Sequence, residues 1–114
     1  MTRTLRGRES FRALKREGRR VRRGPVTVTY LADRPTSPPR VGYAIGRAVG
    51  SAVTRNRVRR RLRAIVDELS AEPGSLPGGA YLIGSDASGA GAEYEELKES
   101  VAEAIGELAG ATRR

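Results

Sequence analysis

The stretch Arg40-Val41-Gly42-Tyr43-Ala44-Ile45-Gly46-Arg47-Ala48-Val49-Gly50-Ser51-Ala52-Val53-Thr54-Arg55-Asn56-Arg57-Val58-Arg59-Arg60-Arg61-Leu62-Arg63 decides how this chain folds. It joins a short apolar strand, Val41 to Ile45, to a long helix predicted over Ala52 to Leu69. On a wheel of about 100° per residue with Arg55 at zero, Val58, Leu62, Ile65, Val66 and Leu69 fall between about 280° and 20°. That single apolar stripe faces a sheet. Asn56, Arg60 and Arg63 fall at about 80° to 140°, well away from the stripe, and Arg57 at about 200°. Arg55, Arg59 and Arg61 flank the stripe, where their stems can lie on apolar surface while the charge reaches outward.

Six of the nine residues from Arg55 to Arg63 are Arg, and none is acidic. Like charges one helical turn apart repel. With no acid in the segment, the relief is expected from outside, from phosphates. Arg suits that role because its planar fork binds phosphate through two hydrogen bonds and stacks on bases. The helix N-terminus near Gly50, Ser51 and Ala52 adds a partial positive charge. A merely solvated helix face would mix its signs. A helix-turn-helix reader needs a second helix close in sequence. Here strands flank the helix and its outer side is almost purely cationic, which favours backbone and shape recognition, hence structured RNA.

The whole chain of 114 residues carries 22 Lys and Arg against 13 Asp and Glu, a net charge of +9 with a pI of about 11.1. The charge is polarised. Residues 1–63 hold 19 cations against Glu9, Glu17 and Asp33, a net of +16, and residues 64–114 carry a net of −7. A basic surface meant only for solubility needs far less charge. A polyanionic partner is the first expectation. Without His or Cys there is no imidazole base, thiolate nucleophile, disulfide or Cys/His metal site. No apolar run reaches the roughly 18 residues of a membrane span. The basic start, Met1 to Arg6, lacks the apolar stretch of a signal peptide, so a cytoplasmic protein is expected.

Residues 1–114 read as one domain, with no repeat and no linker. Arg34 to Pro39, Glu72 to Gly79 and Ser85 to Ala92 read as loops from their Pro, Gly and Ser content. Ser10 to Glu17 is a predicted helix stopped by Gly18. Val26 to Leu31 alternates and is β-branched, a strand. Ala80 to Ile83 is a short buried strand, and Arg19 to Arg23 is a candidate for a fourth. Glu93 to Ala109 is an acidic helix whose Tyr94, Leu97, Val101, Ile105 and Leu108 share one face. The order α-β-β-(β)-α-β-α makes an α/β (α+β) sandwich: a small four-stranded sheet packed with helices.

The quoted stretch resembles the protein subunit of bacterial ribonuclease P. That family joins a strand ending in Arg-Val-Gly, a lysine-rich turn and a helix opening Arg-Asn-Arg, here Arg40-Val41-Gly42 and Arg55-Asn56-Arg57. Weaker similarity runs over roughly residues 5 to 108. The chain departs from the pattern in places. The lysine pair of the turn is Arg47-Ala48, the Asn before the helix is Ser51, and a second aromatic one turn after Phe11 is Lys15.

The resemblance implies a left-handed strand-helix-strand crossover, against the usual hand. It implies assembly with a catalytic RNA that removes the 5′ leader of precursor tRNA. Arg47, Arg55, Asn56, Arg57, Arg59, Arg60, Arg61 and Arg63 would face the catalytic RNA. Phe11, Lys15, Thr27, Thr29 and Tyr30 are the candidates for a leader cleft between the sheet and the first helix. Phe11 could offer a stacking face or belong to the core. If Val26 and Val28 face the core, Thr27 and Thr29 face the cleft and Tyr30 sides with the valines.

No residue is assigned a catalytic or metal-binding role. Protein-only cleavage of a phosphodiester needs metal-holding carboxylates or an acid–base pair. The basic face has none, and Asp67 and Glu68 just beyond it make an unpersuasive metal site. Mg²⁺ is expected through the RNA subunit, which makes the chain the accessory part of an endoribonuclease. Two rivals stand beside this reading: a ribosomal or assembly protein on structured rRNA, and a stand-alone endonuclease.

Overall fold

In the computed structural model of the chain, residues 2–32, 38–72 and 74–112 are described. Strand β1 is Arg3–Thr4, helix α1 Arg8–Glu17, β2 Arg19–Arg23, β3 Val26–Ala32 and β4 Arg40–Ile45. A 3-10 turn, Arg47–Val49, leads into helix α2, Ala52–Ser70. Strand β5 is Gly79–Ser85, a second 3-10 turn is Ala87–Ala90, and helix α3 is Tyr94–Thr112. The predicted loop from Arg34 to Pro39 falls largely on residues 33–37, outside the described ones, as does Pro73 of the next loop. Among the described residues no helix is long and apolar enough to cross a membrane.

The sheet has five strands in the order β1-β4-β5-β3-β2, one more than the sequence suggests. The candidate strand at Arg19–Arg23 is real and pairs antiparallel with β3. The additional one is β1. Two residues cannot carry an alternation pattern, so only their pairing defines them. Arg3 N donates to Pro39 O at 2.8 Å and Leu5 N to Val41 O at 3.0 Å. Strand β5 lies between β4, parallel, and β3, antiparallel, and α2 makes the crossover from β4 to β5.

Residues opposite each other in a ladder share a face. Val21, Val28, Ile83 and Tyr43 form one row across the sheet, and Tyr30, Tyr81 and Val41 another. This face packs against Val58, Leu62, Ile65 and Val66 of α2 and Leu97, Val101 and Leu108 of α3. Glu68 on α2 meets Lys98 Nζ at 2.8 Å and accepts from Tyr94 Oη at 2.8 Å, so a polar clamp closes the helix pair. The opposite face carries a smaller cluster under α1: Leu5, Leu14 and Ala80, with Phe11, Leu31 and Leu82 against it. Helix α1 ends at Gly18, whose backbone turns extended (ψ 156°) after its N–H makes the last helical bond to Leu14 O at 2.9 Å; a Cβ there would lie 2.5 Å from that same oxygen.

Two outcomes test this packing. Leu62→Ala opens a cavity in the larger core and costs about 2–5 kcal/mol, read as a lowered urea midpoint. Bonds from Lys98 and Tyr94 hold the Glu68 carboxyl below its ordinary range. That contribution is present above the unfolded carboxylate pKa of about 4.3 and fades as pH falls through the lower folded value. Melting curves at successively lower pH drop accordingly, and Glu68→Gln flattens part of the drop; identical acid sensitivity in the variant removes the clamp from the account.

Candidate nucleic-acid interface

The outer side of α2 is a row of guanidinium groups. Ser51 caps the helix by accepting from Thr54 N at 3.3 Å, which starts α2 one turn ahead of the arginines. Burial of the apolar stripe then fixes the roll of the helix. Asn56, Arg57, Arg60 and Arg63 are exposed, while Arg55, Arg59 and Arg61 are half-buried at the flanks. Arg47 is exposed on the preceding 3-10 turn. Asn56 Oδ1 accepts from Arg59 Nη1 at 2.6 Å and holds that side chain along the helix.

The arginines are not equivalent. Among the described residues Arg47, Arg57 and Arg60 have no ion-pair partner. Elsewhere cations are paired: Arg12 with Glu9, Arg22 with Asp86, Arg23 with Glu107 and Lys98 with Glu68. Arg61 is engaged within the fold. Its Nη1 donates to Ala92 O at 3.2 Å, tying α2 to the loop before α3. Arg63 lies over the Tyr43 ring, 5.6 Å from its centroid. Burial pushes the Tyr43 hydroxyl up to about 12, against the pull of Arg63, so a neutral ring faces the cation near neutral pH. Arg59 and Arg63 also border an open notch of about 510 Å³ whose other walls include Arg3, Phe11 and Asp67.

A second surface lies on the α1 face of the sheet. Its floor is built of two rows: Arg22, Thr27, Gly84 and Ala44, then Arg20, Thr29, Leu82 and Gly42. Small side chains on the central strands leave the floor low. Helix α1 covers only part of it, so a groove of about 340 Å³ remains, walled by Lys15 of α1 on one side and Arg20 and Arg22 of β2 on the other. Lys15, Thr27 and Thr29 thus come together in this groove. Phe11 sits beyond it, half-buried, with its ring edge 3.4 Å from where a Gly42 Cβ would be. It belongs partly to the small core and partly to the notch beside α2.

Tyr30 is not in the groove. It is 4% exposed and lies on the opposite face, its ring 4.6 Å from that of Tyr81. Its hydroxyl donates to Gly78 O at 2.8 Å. The period of two explains the correction: Val26, Val28 and Tyr30 share one face, and the larger core claims it. Arg20 and Arg22 escaped the sequence reading, although the alternation of Arg19-Arg20-Val21-Arg22-Arg23 carried the signal. Once Val21 faces the core, its two neighbours face the groove.

A free guanidinium row on one side and a cation-walled groove on the other define a protein built for polyanions. Comparison names the class further. A family model described as Ribonuclease P matches residues 1–109. The chain belongs to the ribonuclease P protein family, an RNA-binding family of tRNA processing. The RNase P protein from Thermotoga maritima is similar in structure, with a TM-score of 0.79 at 19% identity, covering 92% of this chain and 96% of that one. The RNase P protein of Staphylococcus aureus gives 0.77 at 14% identity, covering 90% and 91%. Both likenesses speak for the fold. No curated protein matches at the sequence level.

Reassigning Tyr30 has a measurable consequence. Tyr30→Phe deletes the bond to Gly78 O and costs about 1 kcal/mol in urea unfolding, with RNA affinity unchanged. A loss of RNA affinity at unchanged stability would return Tyr30 to the binding surface.

Proposed function

We propose that the chain is the protein component of ribonuclease P, binding the catalytic RNA and the 5′ leader of precursor tRNA. The observation that carries this reading is the pairing of two distinct cationic surfaces on one small sheet. The α2 row with Arg47 suits a folded RNA, whose closely spaced phosphates meet closely spaced guanidinium groups. The groove suits a single strand, which needs a channel rather than a flat face. An rRNA-binding module uses the first surface and leaves the second idle.

The protein's part is to bind and orient. Cations between two RNAs screen their repulsion, and a held leader fixes the register of the scissile bond. Among the described residues no group of three or more carboxylates converges to hold a metal ion. We assign Mg²⁺ to phosphates of the RNA subunit and no catalytic side chain to the protein. Asp67 stands beside Arg63 at the notch and lacks the companions a metal site needs.

One experiment separates this reading from its rivals: cleavage of precursor tRNA at low Mg²⁺ by protein alone, catalytic RNA alone, and both. Cleavage only with both supports it; cleavage by protein alone means a stand-alone nuclease, and no gain over RNA alone leaves the rRNA reading. Two variants resolve the surfaces. Arg60→Ala weakens catalytic-RNA binding and lowers the slope of log affinity against log salt by about 0.7–0.9. Phe11→Leu keeps the contact with Gly42 and Leu5 but removes the ring, so the preference for precursor over mature tRNA falls while catalytic-RNA affinity holds. Identical behaviour of the two variants would contradict a two-surface protein.

A further inference from the structure

We propose that strand β2 is a phosphate rail for the leader, with Arg20 and Arg22 as its positioning residues and Lys15 as the facing cation. The inference rests on the groove reading above and adds how the groove would hold a strand: by backbone charge, without reading bases.

Three observations carry it. The register places Arg20 opposite Thr29 and Arg22 opposite Thr27, so both side chains rise from the groove face of the sheet. Alternate residues of a strand are about 6.8 Å apart, which sets two guanidinium groups in line along one wall. Arg20 and Lys15 are exposed and, among the described residues, have no ion-pair partner. Among the described residues no aromatic lines the groove: its floor is Thr27, Thr29, Ala44, Leu82 and Gly84. Within the groove stacking has no platform and is left to Phe11, whose ring lies against Gly42 beside the floor; stacking of that kind accepts any base. Threonine hydroxyls and cations are what the groove offers, and both suit phosphate and sugar.

The groove also carries its own brake. Arg22 Nη2 lies 2.5 Å from Asp86 Oδ2 at the end of the groove. Bonds from Ser88, and the charge of Arg22, hold the Asp86 carboxyl below its ordinary range, so it remains a negative group at neutral pH. Arg22 must share itself between this carboxylate and a passing phosphate, whereas Arg20 is uncommitted. Arg20 is thus the stronger contact of the two.

The test uses the protein assembled with catalytic RNA. Affinity is measured against salt for precursor tRNA with a long leader and for mature tRNA. Arg20→Gln lowers the salt slope for the precursor by about 0.7, the value for one single-strand phosphate contact, and weakens its binding several-fold. Mature tRNA is unaffected, Arg20→Lys restores the slope, and Arg22→Gln gives a smaller loss of the same kind. Leaders of equal length and different base order bind the wild type alike. An unchanged slope for the precursor overturns the rail, and so does an equal loss for mature tRNA or a strong base-order preference that survives Arg20→Gln. If the wild type shows no preference for precursor over mature tRNA, the groove reading itself fails.

Discussion

Strand β5 is hydrogen-bonded along both edges, to β3 and to β4, and the rest of the molecule follows from its alternation. Tyr81 and Ile83 point to one side, where they meet α2 and α3 in the larger core. Leu82 and Gly84 point to the other, where α1 covers only part of the surface. Shifting the register by one residue would exchange the faces, putting bulky apolar groups under α1 and small ones under α2 and α3. The groove and the buried face of the arginine helix are thus two results of one strand's phase.

Charge is arranged as deliberately as volume. Acids are few in the first part of the chain and abundant in α3. Several cations that pack against the body of the protein meet an acid or carbonyl: Glu107 for Arg23, Asp86 for Arg22, Ala92 O for Arg61. Where cations face outward on α2 and its preceding turn, Arg47, Arg57 and Arg60 have no ion-pair partner among the described residues. The fold tolerates that repulsion because the buried stripe of Val58, Leu62, Ile65 and Val66 anchors the helix from beneath. Hydrophobic burial is non-directional and local, so it can hold in place a surface that opposes itself.

The helices were legible in the sequence because their periodicity is a property of many residues at once. The wheel separated exposed Asn56, Arg57, Arg60 and Arg63 from the flanking Arg55, Arg59 and Arg61, and the structure divides them in the same way. It could not say that Arg61 finds Ala92, a partner 31 residues away. Strand β1 was illegible for a related reason: its existence depends on pairing with Arg40 and Val41, not on its own two side chains. Tyr30 was ambiguous from family resemblance and unambiguous from alternation. Arg20 and Arg22 were readable from Val21, whose place in the core sets the phase of β2, but only once the segment was known to be a strand.

The strand that walls the groove is also an edge of the sheet, with β3 on its inner side. An open edge normally invites a strand from another molecule, which is how soluble proteins begin to stick together. Here four of its five residues are Arg; Arg22 and Arg23 are paired with Asp86 and Glu107, and Arg19 and Arg20 are left to meet the same charges on a second copy approaching edge to edge. At the other edge, β1 is only two residues long and offers little to pair with. Charge beside the groove thus also opposes pairing of one β2 edge with another.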